Sequence, residues 1–151
     1  METSRTTAYP AGDALFLRLG PTRCPRVLVV DDERQIVEFL AALLEDEGFE
    51  VQRAYDGEEA WERANREHPD LVISDVSMPR LDGMALLNRI RAARALHDTP
   101  VILMSAAERT VPRNGASFVA KPFDLDGMLT LVRFAIGPHD GAVRGVPSPS
   151  S

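Results

Sequence analysis

Residues 26–33 read RVLVVDDE. The run from Val27 to Val30 is apolar without alternation, whereas a strand with one wet face alternates. A continuous run is the pattern of a strand buried on both faces, as in a parallel sheet covered by helices. The run then breaks off abruptly at three acids, Asp31, Asp32 and Glu33.

Working outward, the same grammar repeats. Ile36, Val37, Leu40, Leu43 and Leu44 follow helical spacing, and Gly48 stands where a helix C-cap belongs. Phe49–Ala54 reads as a second strand, and Asp56-Gly57 as a turn. Ala60, Trp61 and Ala64 mark a short helix that ends before Pro69. Leu71–Ser74 is a third strand, and Met84, Leu87 and Ile90 mark a helix. Val101–Met104 and Phe118–Ala120 are the last strands, and Leu125–Ile136 is a closing helix. Five strands alternating with helices predict an α/β fold with a doubly wound parallel sheet. The order 2-1-3-4-5, flavodoxin-like, fits. Such a sheet places its site at the carboxyl ends of its strands.

The flanks lack this grammar. Residues 1–25 read as a flexible arm with one short helical turn at Ala14–Leu19. Residues 137–151, GPHDGAVRGVPSPSS, read as a disordered tail. One domain over residues 26–136 remains. It carries the acidity: the net charge is −6, residues 1–25 sum to +1 and 137–151 to zero, which leaves −7 for the domain. Direct nucleic-acid binding needs clustered Lys and Arg to displace counterions, so this balance argues against it and favours cations or basic partners. No apolar stretch approaches the ~20 residues of a membrane span. A single cysteine, Cys24, excludes an internal disulfide and suits a cytoplasmic location.

The strand ends then stand out. Strand 1 ends in Asp31-Asp32-Glu33, strand 3 in Asp75, strand 4 in Ser105 and strand 5 in Lys121. Each has a local explanation: a helix N-cap for the aspartates, a turn for Asp75, a cap for Ser105, a solvated surface position for Lys121. Their coincidence at one edge of four neighbouring strands is what favours a site. Crowded carboxylates repel, and a hard divalent cation such as Mg²⁺ relieves this. A carboxylate can also attack phosphorus, after which the equatorial oxygens need partners. The cation, Lys121 and the Ser105 hydroxyl supply three.

The stretches VLVVDDE (27–33), ISDVSMPRLDG (73–83), ILMSA (102–106) and FVAKPF (118–123) together resemble a response-regulator receiver domain of bacterial two-component signalling. The resemblance implies that Asp75 accepts a phosphoryl group from a sensor histidine kinase or a histidine phosphotransfer protein. It implies that Asp31 and Asp32 hold Mg²⁺ (or Mn²⁺), with Asp32 favoured as the direct ligand, completed by Asp75 and the Ser77 backbone carbonyl. Lys121 resembles the family lysine, with a cis bond to Pro122. Ser105 resembles the switch hydroxyl and Phe118 the switch aromatic. The family is not enzymatic in the turnover sense, and its members pass the signal to a downstream protein.

One stretch departs from the pattern. Only 12 residues, AAERTVPRNGAS, connect Ser105 to Phe118, and Pro112 interrupts them. The helix between the fourth and fifth strands is therefore expected to be short or missing, and output is expected through a face other than the common dimer surface. Rival readings fare worse. A haloacid-dehalogenase-type phosphatase would want an aspartate at position 77, which is Ser77. A flavodoxin-like cofactor binder would not place three acids in its phosphate loop. A pseudo-receiver, acting as a binding module, remains the alternative.

Overall fold

The computed structural model describes residues 24–106 and 115–137. The arm, the tail and the short connection before strand 5 fall wholly or mainly on residues 1–23, 138–151 and 107–114, so those expectations lie outside the described residues. Pro25–Ile136 forms one compact unit.

The chain runs β1 (Arg26–Val30), α1 (Arg34–Asp46), β2 (Glu50–Ala54), α2 (Gly57–Glu67), β3 (Leu71–Asp75), α3 (Gly83–Ala92), β4 (Val101–Ser105), β5 (Ser117–Ala120) and α4 (Leu125–Ile136). All strand pairs are parallel, and the sheet order is β2-β1-β3-β4-β5. This is the doubly wound order expected.

Alternation divides the strands between two cores. Leu28, Val30, Val72, Val101 and Leu103 point to one face, where Ala60 and Ala64 of α2 and Leu86, Leu87 and Ile90 of α3 cover them. Val27, Val29, Leu71, Ile73, Ile102 and Met104 point to the other, under Val37, Leu40 and Leu44 of α1 and Met128, Leu129 and Val132 of α4. Both faces being dry is why β1, β3 and β4 read as unbroken apolar runs rather than alternating ones.

Local chemistry sets the helix ends. Gly48, with φ 97°, ends α1 in the left-handed region, where a Cβ is unfavourable. Asp56 does not form a simple turn; it is the N-cap of α2, and its side chain accepts from Glu59 N at 2.8 Å. The Glu59 carboxylate reaches back to Tyr55 N at 2.9 Å, so the first turn is fastened from both sides. Asp82 caps α3 in the same way, accepting from Ala85 N at 2.9 Å. The N-cap of α1 is Glu33, without a side-chain capping bond, so neither Asp31 nor Asp32 serves as the cap. Their carboxylates are left for the rim.

Candidate functional site

Three strand ends and one loop residue converge. Asp31 follows β1 directly, and its backbone N–H donates to Ala54 O at 3.3 Å, which ties it to the end of β2. Its side chain is fully buried. One carboxylate oxygen accepts from Glu33 N at 3.0 Å and the other from Lys121 Nζ at 2.9 Å. Asp75 is the last residue of β3 and is buried, with Oδ1 3.1 Å from Lys121 Nζ. Lys121 follows β5; its backbone N–H donates to Ser105 O at 2.8 Å, and its bond to Pro122 is cis. Asp32 is exposed and forms the solvent side of the group.

Order in the sheet explains the convergence. β1 and β3 are adjacent, and the chain winds away from them in opposite directions, so a crevice opens at their carboxyl ends. Asp31 and Asp75 flank that crevice. One oxygen from each of Asp31, Asp32 and Asp75 lies within 4.8 Å of the others, a spacing that can hold a metal ion. Three carboxylates against one ammonium leave two negative charges, the charge of one divalent cation. The donors are hard oxygens, and exposed Asp32 leaves room for retained waters. The residues therefore fit Mg²⁺, which takes oxygen ligands octahedrally and sheds water reluctantly.

The electrostatics are unequal. Burial pushes the Asp75 carboxyl up, the Lys121 hydrogen bond pulls it back, and the charges of Asp31 and Asp32 push it up again. The net direction is up from the ordinary aspartate value. Burial works against the Lys121 ammonium, but the hydrogen bonds to Asp31 and Asp75 outweigh it, so the lysine is held more firmly as a cation. A simple ion pair would lower the acid and raise the base. Here the lysine is shared with fully buried Asp31, and Asp75 is left partly uncompensated.

Alternation separates the remaining residues. Asp75 pairs in register with Met104, so its side chain belongs to the face of α1 and α4. Ser105 is one residue further along β4 and belongs to the opposite face, with Leu103. Phe118, in register with Leu103, is half-buried against that same face. The hydroxyl and the aromatic therefore share one side of the sheet, and the acids and lysine the other. Ser105 is buried at the β4 end. Ser77 is exposed in the loop two residues past Asp75.

Two features escaped the sequence reading. Glu33 Oε1 lies 3.9 Å from Lys121 Nζ and adds a third carboxylate around the ammonium; its place in the acidic run was the available signal. Gly57 and Gly83 also press on the loop that carries Ser77. Each follows an aspartate, and the pairs read only as turns.

A flavodoxin-like sheet with an acidic, metal-fitting crevice at its switch point, closed by a lysine that follows the last strand, defines a small α/β domain with a cation-fitting rim. Residues 27–133 match the response regulator receiver domain, and the chain belongs to that family. It is similar to the transcriptional regulatory protein DltR of Streptococcus agalactiae, with 36% identity over 114 residues, which cover 72% of this chain and 50% of DltR. Among solved structures it is similar to the receiver domain of the Francisella response regulator 1452, with 33% identity and a TM-score of 0.68, covering 74% of this chain and 96% of that one. The chemotaxis response regulator CheY4 of Vibrio cholerae has 30% identity and a TM-score of 0.68, with 74% and 98% covered. The chain spans about half the length of the curated relatives it matches.

Proposed function

We propose that this chain is a phosphoacceptor: Asp75 takes a phosphoryl group from the phosphohistidine of a sensor kinase or a histidine phosphotransfer protein, and the phosphorylated form signals to a downstream protein. The observation that carries this is Lys121 bridging Asp31 and Asp75, beside exposed Asp32, at the switch point of the sheet. An oxygen of the Asp75 carboxylate forms the new bond to phosphorus as the bond from phosphorus to the histidine nitrogen breaks, and the nitrogen keeps the electron pair. Lys121, 3.1 Å from Oδ1 of Asp75, is placed to neutralise one phosphoryl oxygen. Asp31 orients that ammonium from the buried side. Mg²⁺ held by Asp31, Asp32, Asp75 and the Ser77 carbonyl would supply charge neutralisation of a second oxygen. The Ser105 hydroxyl turns toward the acyl phosphate from the opposite face, and Phe118, on the same side, follows the space it vacates. That is a population shift between two arrangements of the face built around β5 and the helix that follows it.

The domain assists its own phosphorylation and dephosphorylation and turns over no separate substrate. Its −7 charge disfavours direct contact with nucleic acid, so we assign a DNA-directed output to a partner or a further domain. Among the described residues no helix is long and apolar enough to cross a membrane, and we place the reaction in the cytoplasm with the kinase's phosphohistidine. Incubation with Mg²⁺ and acetyl phosphate, followed by intact mass measurement, tests the proposal. Wild type gains one phosphoryl group and Asp75→Asn gains none. An adduct that persists in Asp75→Asn, or no adduct on wild type, refutes it.

A further inference from the structure

The loop after β3 carries Ser77 and is held from two directions by backbone contacts that leave no room for a side chain. A Cβ on Gly83, the first residue of α3, would lie 2.3 Å from the Asp75 carbonyl oxygen and 2.9 Å from Val76 Cα. A Cβ on Gly57 would lie 1.8 Å from the Leu81 carbonyl oxygen. Gly57 comes from a different element, the first turn of α2. The contact falls about 1.2 Å inside the 3.0 Å limit that real Cβ atoms respect, and the obstacle is backbone, so no rotamer relieves it.

The loop itself is strained. Leu81 N donates to Pro79 O at 2.8 Å, which closes a γ-turn around Arg80 at φ 73°. That form of γ-turn is uncommon because a side chain at positive φ crowds its own backbone. Such a conformation persists only where its surroundings over-determine it. Inside the loop, Gly83 N donates to Val76 O at 2.8 Å, and Leu81 is buried in the core. From outside come the Gly57 contact and Asp56, whose Oδ1 lies 3.6 Å from Arg80 Nε. Asp56 is also the cap that fixes the first turn of α2.

We propose that the Asp56-Gly57 corner of α2 is a positioning element for the metal pocket: it presses on Leu81, holds Arg80 in its turn, and so sets where the loop presents the Ser77 carbonyl beside Asp75. This rests on the metal-dependent reading of the same site. Gly57 touches neither metal nor phosphate; it acts through the loop.

Titration of the full chain with Mg²⁺ alone, by calorimetry, tests it, with urea midpoints measured alongside. Wild type binds. Gly57→Ala binds at least about fivefold more weakly. Gly48→Ala is the control, because its φ of 97° makes alanine strained while nothing lies within 4 Å; it lowers the urea midpoint but leaves Mg²⁺ affinity within about twofold. A folded Gly57→Ala with wild-type affinity overturns the proposal, as does an equal loss in Gly48→Ala. Should Gly57→Ala fail to fold, Asp56→Ala carries the test. It frays the corner without adding an atom, about a threefold weaker affinity is expected, and an unchanged one overturns the idea. If wild type accepts neither Mg²⁺ nor phosphoryl, the functional reading falls first, and this inference with it. If wild type accepts both while Gly57→Ala matches it, only this inference falls.

Discussion

Replacing Lys121 with Met removes the ammonium and keeps most of the apolar stem, so it isolates the charge. Nζ lies 2.9 Å from Asp31 and 3.1 Å from Asp75. At an effective dielectric near 20, each contact is a gross attraction of roughly 5–6 kcal/mol. Much of this is offset by desolvation of the ammonium, several kcal/mol per ion. There is also a ceiling. A carboxylate left unpaired can take up a proton, which at pH 7 costs about 4 kcal/mol for a group that ordinarily titrates near 4. The expected net loss for Lys121→Met without metal is therefore about 2–4 kcal/mol. With a urea slope of about 2 kcal/mol/M, the midpoint falls by roughly 1–2 M, and the domain still folds. The sign with pH is fixed as well: Asp75 is already raised, and the variant lacks the Lys121 hydrogen bond that pulls it back down, so the variant regains stability as pH falls and the gap to wild type narrows below pH 7. Mg²⁺ at about 100 times its Kd restores about 2.7 kcal/mol. Urea unfolding followed by circular dichroism, at pH 7 and 5 with and without Mg²⁺, reads all of this. An unchanged midpoint at pH 7 without metal would refute the claim that Lys121 compensates these acids.

Asp75→Asn should be as stable as wild type or more so in metal-free buffer at pH 7, since Asp75 is raised and its charged form is disfavoured by the fold. The advantage grows as pH rises through the raised value and then levels off, and a urea series over pH 4–8 checks it. The raised pKa of Lys121 has the opposite consequence at the alkaline end. Its contribution is complete below the ordinary value of 10.5 and is lost as pH climbs through the higher folded value; alkaline unfolding of wild type against Lys121→Met measures the window. Leu103→Ala opens the core on the face away from the carboxylates and should cost about 2–5 kcal/mol. It should leave Mg²⁺ affinity within about twofold; a large loss of affinity would mean that core and site are not separable in this way.

Much of this molecule was legible as a string because its three central strands, β1, β3 and β4, are buried on both sides. Val27 to Val30 and Leu71 to Ser74 could be read without knowing their neighbours, and the polar residue ending each run marked the sheet edge. The alternation of elements then left few topologies. The acid and lysine positions followed, and the family resemblance rested on the same residues. Less legible were the two Asp-Gly pairs. Asp56-Gly57 looks like a turn in isolation, since the same residues favour turns and helix N-caps. Only the hydrogen bond from Glu59 N decides for the cap.

The assignment of chemistry to strand ends is written in the chain: Asp31, Asp75, Ser105 and Lys121 arrive at one edge because each terminates or follows a strand of one parallel sheet. What tertiary structure alone decided is how they divide there. The one-residue offset between Asp75 and Ser105, set by pairing of β3 with β4, puts acid and hydroxyl on opposite faces. Lys121 chose Asp31 and Asp75 as partners across 90 and 46 residues of chain, and Gly57 of α2 met Leu81 of the loop after β3. Local propensity has no term for such meetings. They arise from closing a sheet and packing helices against it, and distances fixed in that way cannot be read along the chain.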